Sequence, residues 1–172
     1  MDNQLDVPLG ILKLPVPLKE DYNRRQKLIE LIEKPLWTIT GKCAKDTLIP
    51  DLVSICKVNE QHQFIIFDAK YYNAHLEKGI VPTGQPGIES ITKQYLYQLA
   101  YQRFIEDHKF SSVKNCFLLP TENNEIEDKG EVRMEMLSNL GLQNIKIRLI
   151  PATMAYDLYL SGSKMDMERL DL

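Results

Sequence analysis

The chain has 172 residues, which suits one domain with a sizeable core, and it is 44% hydrophobic and 26% charged, an ordinary globular composition. Its formal net charge of −3 counts against an autonomous nucleic-acid-binding domain, which is usually basic, but not against a catalytic domain carried to DNA by a partner. No apolar run approaches the ~20 residues of a membrane helix, and the acidic, proline-broken start "MDNQLDVPLG" is not a secretory signal, so a cytoplasmic location is expected.

Residues 1–18, with Pro8, Pro15 and Pro17, are expected to form an extended lead-in or linker, and residues 19–172 a single domain. "KEDYNRRQKLIELIEKPLW" follows. Glu20 or Asp21 suits a helix start, Leu28, Ile29, Leu31 and Ile32 give an apolar side, and Pro35 stops it. The expectation is a helix of about four turns or fewer. "TLIPDLVSICKV" and "FIIFDAKYY" are strand-like runs joined by the polar "NEQHQ", an antiparallel hairpin. The second run is apolar enough to be buried on both faces. "NAHLEKGIVPTGQPG" is a Gly/Pro loop.

"IESITKQYLYQLAYQRFIEDHK" is the strongest helix signal, "VKNCFLLPT" a third strand, and "ENNEIEDKG" a solvated acidic loop. "EVRMEMLSNLG" reads as a helix capped by Gly141. "NIKIRLIPAT" is a strand in which Ile145, Ile147 and Leu149 alternate with Lys146 and Arg148, and "MAYDLYLSG" is a last short helix. This order gives an α/β fold: a mixed central sheet of about four to five strands flanked by helices. Cys43, Cys56 and Cys116 are odd in number and far apart, which argues against a disulfide framework. His62, His75 and His108 share no zinc-ligand spacing with them. Reduced thiols and surface histidines are expected.

The anomaly lies in the hairpin. A lone buried carboxylate is costly, so a buried acid normally has a partner or a metal. With the turn near residues 58–63, positions whose numbers sum to about 120 face each other. Asp51 and Asp68 would then be cross-strand neighbours, and Lys70, two residues on, shares the face of Asp68. Two adjacent carboxylates repel, and a divalent cation relieves that cost. Such an ion polarises a phosphoryl oxygen and activates water, while an adjacent lysine positions that water or stabilises the developing charge. The backbone carbonyl of Ala69 offers one more oxygen. The plain alternative makes Asp51 a turn cap and Lys70 an edge lysine.

"PD" at 50–51 followed by "DAK" at 68–70 resembles the PD-(D/E)XK nuclease superfamily. The wider stretch "LIPDLVSI…FIIFDAKYYN…GQPGIESITKQYLYQLAYQRF…NCFLLPT" is similar to the nuclease domain of LlaJI-type restriction endonucleases and, more distantly, to McrC-type subunits. The resemblance implies a restriction-endonuclease-like core and a Mg²⁺-dependent DNA endonuclease of a type II/IV-like restriction system, with Mn²⁺ as a substitute ion. It implies catalytic roles for Asp51, Asp68 and Lys70, with metal held by Asp51, Asp68 and the Ala69 carbonyl. It also implies double-stranded DNA as substrate, an AAA+ NTPase or GTPase motor or specificity subunit as partner, and a homodimer as one route to double-strand cleavage. The alternatives are a repair or recombination nuclease with the same core, and a non-cutting module docked on a motor.

Many relatives add an acid from the first helix, for which Glu30 and Glu33 are the candidates. RecB-branch relatives carry a QxxxY helix motif. This chain departs from it, with Gln94 and Tyr97, and Gln98 and Tyr101, at i,i+3. Either Gln98 with Tyr101 or Lys93 with Gln94 is expected to face the site. Tyr71, Tyr72 and the loop at 79–87 would border it, and Arg24, Arg25, Lys42, Lys45 and Lys93 are weaker candidates for phosphate contact.

Overall fold

The "FIIFDA" run becomes the second strand of a five-stranded mixed sheet in the computed structural model, which describes residues 1–172. In chain order the strands are β1 (Leu36–Trp37), β2 (Lys42–Cys43), β3 (Leu52–Val58), β4 (Gln61–Ala69), β5 (Ser112–Thr121), β6 (Glu127–Val132) and β7 (Ile145–Pro151). The helices are α1 (Ile88–Asp107), α2 (Glu135–Ser138) and α3 (Ala152–Ser161). The main sheet runs β3-β4-β5-β7-β6, and β1 and β2 form a separate ribbon. β3 and β4 are antiparallel, β4-β5 and β5-β7 parallel, and the edge strand β6 antiparallel. This is the α/β architecture with a mixed central sheet that the sequence pattern implied.

The β3–β4 turn is two residues, Asn59 and Glu60, both at positive φ (46° and 66°), the turn whose twist matches a tight hairpin. Pairing runs from Val58↔Gln61 to Leu52↔Phe67, so facing residues sum to 119. Phe64 through Asp68 are all buried: β4 is covered on both faces. On one face Val53, Ile55, Phe64 and Ile66 pack against Tyr97, Tyr101, Phe104 and Ile105 of α1 and against Leu5, Leu9, Leu28 and Ile32. On the other, Ile65, Phe67, Cys116 and Ile150 meet Met165 and Leu170, with Met154 and Leu158 of α3 beside them. Each such buried side chain contributes on the order of 2 kcal/mol.

Four expectations are corrected. Residues 19–35 form no α-helix. Only a 3-10 turn at Leu28–Leu31 is present, because this segment exchanges backbone hydrogen bonds with residues 5–10: Leu9 N to Gln26 O (2.8 Å), Ile29 N to Leu5 O (2.9 Å) and Gly10 N to Arg24 O (2.9 Å). Tertiary pairing overrides a weak helical propensity there. Part of the acidic "loop" is β6, whose pairs Asp128↔Arg148 and Glu131↔Lys146 are charge pairs across strands that no hydrophobic alternation reveals. The helix expected over 131–141 contracts to α2, with Gly141 beyond it at φ 73°. His108 is buried, not on the surface: its Nδ1 lies 2.8 Å from the Phe104 carbonyl and Lys19 N donates to its Nε2 at 3.3 Å.

Candidate active site

The sum of 119 carries the ladder one step past Leu52↔Phe67, to Asp51 opposite Asp68. Asp51 Oδ2 accepts a hydrogen bond from Ala69 N at 2.8 Å, which binds the start of β3 to the end of β4 through a side chain. Lys70 Nζ lies 2.5 Å from Asp68 Oδ2, so the same-face reading of residues 68 and 70 holds. Lys70 itself is fixed by the ladder, its N–H donating to Leu118 O at 2.9 Å. Asp51 is exposed, Lys70 half-buried and Asp68 buried at 3% exposure. Asp68 is thus the buried member of the three, with Lys70 and Asp51 toward solvent.

Burial pushes the Asp68 carboxyl up to about 6, the hydrogen bond from Lys70 pulls it down, and contact with Asp51 pushes it up again. A buried acid with a second carboxylate against it is the arrangement a cation stabilises. The backbone adds an oxygen by omission. Val53 O and both backbone groups of Ile55 bond outward to Gln4, so the even-numbered residues of β3 face β4. One further pair would place Pro50 opposite Ala69, and proline has no N–H to give the Ala69 carbonyl. No cluster of three or more His, Cys, Asp or Glu side chains suited to a metal is present. A cation held here would meet two carboxylates and this backbone oxygen.

The family model described as LlaJI restriction endonuclease matches residues 19–158. The chain belongs to the LlaJI restriction endonuclease family. It is 29% identical over 158 residues to the Bacillus subtilis (strain 168) protein named Type II restriction enzyme BsuMI component YdjA, a match covering 88% of this chain. The chain spans only 32% of that curated relative. No solved structure matches.

In this LlaJI-family chain the accessory positions divide sharply. Glu30 Oε2 accepts from Lys27 N at 2.7 Å and caps the 3-10 turn. Glu33 is exposed at the base of the β1–β2 ribbon, its carbonyl accepting from Thr47 Oγ1 at 2.5 Å. The helix that was to carry these two acids is absent. Gln98 is buried in a structural network: its Oε1 accepts from Asn115 Nδ2 (2.7 Å) and Gln143 N (2.8 Å). Tyr101 packs in the core against Phe64 with its hydroxyl unpartnered. Gln94 Nε2 donates to Ile66 O at 2.8 Å and so braces β4 two residues before Asp68. Its Oε1 is buried without a partner.

Lys93 is exposed and paired with Glu89 at 2.6 Å. Its charge is favoured first by Glu89 and more weakly by Asp68. Tyr97, four residues on, is buried, and its hydroxyl is pushed up to about 12 by burial and then by the charges of Asp68 and Asp51. Of the two pairings expected to face the site, Lys93 and Gln94 lie on its side and Gln98 and Tyr101 do not. Tyr97, named above only as a motif partner of Gln94, was not among the residues expected to face the site; its i,i+4 spacing from Lys93, one face of a helix, was the signal for it. Tyr71 is 94% exposed. The loop beyond it is cinched by the His75↔Thr83 bridge, and a Cβ at Gly84 (φ +64°) would stand 2.2 Å from the Asn73 carbonyl oxygen.

Proposed function

We propose that the chain is the DNA-cleaving domain of a restriction system, a Mg²⁺-dependent endonuclease of the PD-(D/E)XK type in which Mn²⁺ substitutes. The observation that carries this reading is the facing pair Asp51 and Asp68 with Lys70 on the Asp68 carboxylate. Asp51, Asp68 and the Ala69 carbonyl would hold the ion. When bound, it supplies charge neutralisation at the phosphate and a lowered pKa for water. Lys70 is ion-paired with Asp68. With the carboxylates otherwise engaged, its ammonium is free to orient the attacking water and to stabilise the negative charge that develops on the phosphate. Gln94 holds the β4 backbone at Ile66, two residues before Asp68, and Tyr97 of α1 is a buried neighbour whose hydroxyl feels both carboxylates.

Partners belong to the same proposal. The YdjA relative is named as one component of an enzyme, and the −3 charge suits a domain whose DNA affinity resides partly elsewhere. We take an AAA+ motor subunit as the partner, and double-strand breaks as the work of two copies. Supercoiled plasmid incubated with Mg²⁺ or with EDTA, alone and with the proteins encoded beside it, tests the reading. Wild type should nick or linearise plasmid only with the metal, and Asp68→Ala should not. Equal nicking by both proteins, or none by either under every condition, would overturn it.

A further inference from the structure

Residues 33–43 are all exposed, and they present three large apolar side chains to water: Leu36 (61%), Trp37 (65%) and Ile39 (99%). An isolated two-stranded ribbon is marginal in water, yet this one is carefully built. The pairs are Leu36↔Cys43 and Trp37↔Lys42, and Ala44 N extends the ladder to Pro35 O at 2.8 Å. At the tip, the Trp37 carbonyl accepts from Thr40 N (3.1 Å), Gly41 N (2.9 Å) and Thr40 Oγ1 (3.0 Å). Gly41 supplies the positive φ of 64° that closes the turn. At the base, Thr47 Oγ1 holds Glu33 O.

The charge of this arm opposes that of its parent. "KPLWTITGKCAK", residues 34–45, carries Lys34, Lys42 and Lys45 and no acid, in a chain of net −3. Trp37 and Lys42, directly paired, share one face of the ribbon. Lys45, the last residue of the arm, lies six residues before Asp51. Six residues reach at most about 22 Å, so the base of the arm stands well within the roughly 34 Å of one DNA turn.

We infer that residues 34–45 are a DNA-binding arm that enters a groove of the duplex within one turn of the scissile phosphate. The inference rests on the endonuclease reading above and extends it to the part of the chain that grips the substrate. A two-stranded ribbon fits the major groove. Lys34, Lys42 and Lys45 meet phosphates along its edges, Ile39 leads at the tip, and Trp37 packs on sugar or base surface beside Lys42. Complementary charge selects nucleic acid over a protein surface as the occupant, and the pre-paired ribbon limits the ordering cost of binding.

Trp37 is the only tryptophan beside eight tyrosines, so emission excited selectively in tryptophan, at the red edge of the absorption band, reports on the arm alone. Wild type is titrated with a dye-labelled short duplex in EDTA, which prevents cleavage, with anisotropy measuring binding and Trp37 emission read in parallel. Binding should be accompanied by a quench or blue shift of Trp37. The combined Lys34→Gln, Lys42→Gln and Lys45→Gln variant should keep its melting curve and lower the slope of log K against log salt by about 2.7, the release of three counterion contacts. Ile39→Ser should weaken binding and leave that slope unchanged. Saturable binding with unaltered Trp37 emission and an unaltered slope in the lysine variant would overturn the arm and leave the endonuclease reading standing. No binding of duplex at all would overturn the arm too, and the plasmid assay then decides the endonuclease reading separately.

Discussion

The hairpin β3–β4 turns on Asn59 and Glu60, buries Phe64 to Asp68, and holds one buried carboxylate, Asp68, at its far end. The ribbon β1–β2 turns on a loop closed by Gly41, buries nothing, and displays a tryptophan, an isoleucine and lysines to water. Both obey the same antiparallel pairing rule. They differ in what lies on either side: β3–β4 is flanked by α1, β5 and the N-terminal segment, and β1–β2 by solvent alone. Sequence alternation fixes which residues share a face, but neighbouring elements fix whether that face is core, site or probe.

The largest effect that sharpens this contrast is on stability. Phe64→Ala empties a fully buried position and should cost about 3–5 kcal/mol, lowering Tm by roughly 10 °C at about 2–4 °C per kcal/mol. Trp37→Ala removes a larger ring from the exposed ribbon and should change stability by less than about 0.5 kcal/mol. A large loss for Trp37→Ala would mean that the ribbon is part of the core. Next in size, Lys70→Met should reduce plasmid cleavage by about 10²-fold or more, the scale of removing one group aimed at developing charge, with Tm little changed. Full activity in Lys70→Met would make that lysine an ordinary edge residue.

A smaller effect separates the buried acid from the exposed ones. Asp68 titrates near 6 in the folded protein and near 3.9 when unfolded. Between those values the folded state holds the extra proton, so this group's contribution to stability falls as pH rises from about 4 to about 6. Asp68→Asn abolishes that slope. In metal-free buffer its stability relative to wild type should therefore improve by about 2 kcal/mol between pH 4 and pH 7. Denaturant melts at the two pH values measure it, and a difference independent of pH would show that Asp68 is not desolvated.

The hairpin and its acids were legible because three local signals agreed: a short polar turn, β-branched runs, and the parity of residues 51, 68 and 70. The segment at 19–35 was not, because its backbone partners lie at residues 5–10, well beyond the i,i+4 spacing that local periodicity reads. The strand β6 was hidden because it pairs by charge with Arg148 and Lys146. Arg148, set among the outward residues of its strand, is buried and donates to Leu170 O (2.6 Å) and Asp171 O (2.5 Å). Gln94 and Gln98 are buried polar side chains on a packed helix. The two glutamines satisfy backbone and amide groups at different depths, and only the three-dimensional position of Asp68 tells which one neighbours the site.

The claim on which everything else depends is that the buried end of β3–β4 is a divalent-cation site. Melting curves of wild type and Asp68→Asn with increasing Mn²⁺, at pH 7 and fixed ionic strength, test it directly. A ligand that binds only the folded state raises Tm with its concentration. The account predicts a rise for wild type and none for Asp68→Asn; the same rise in both proteins, or none in wild type, would contradict it.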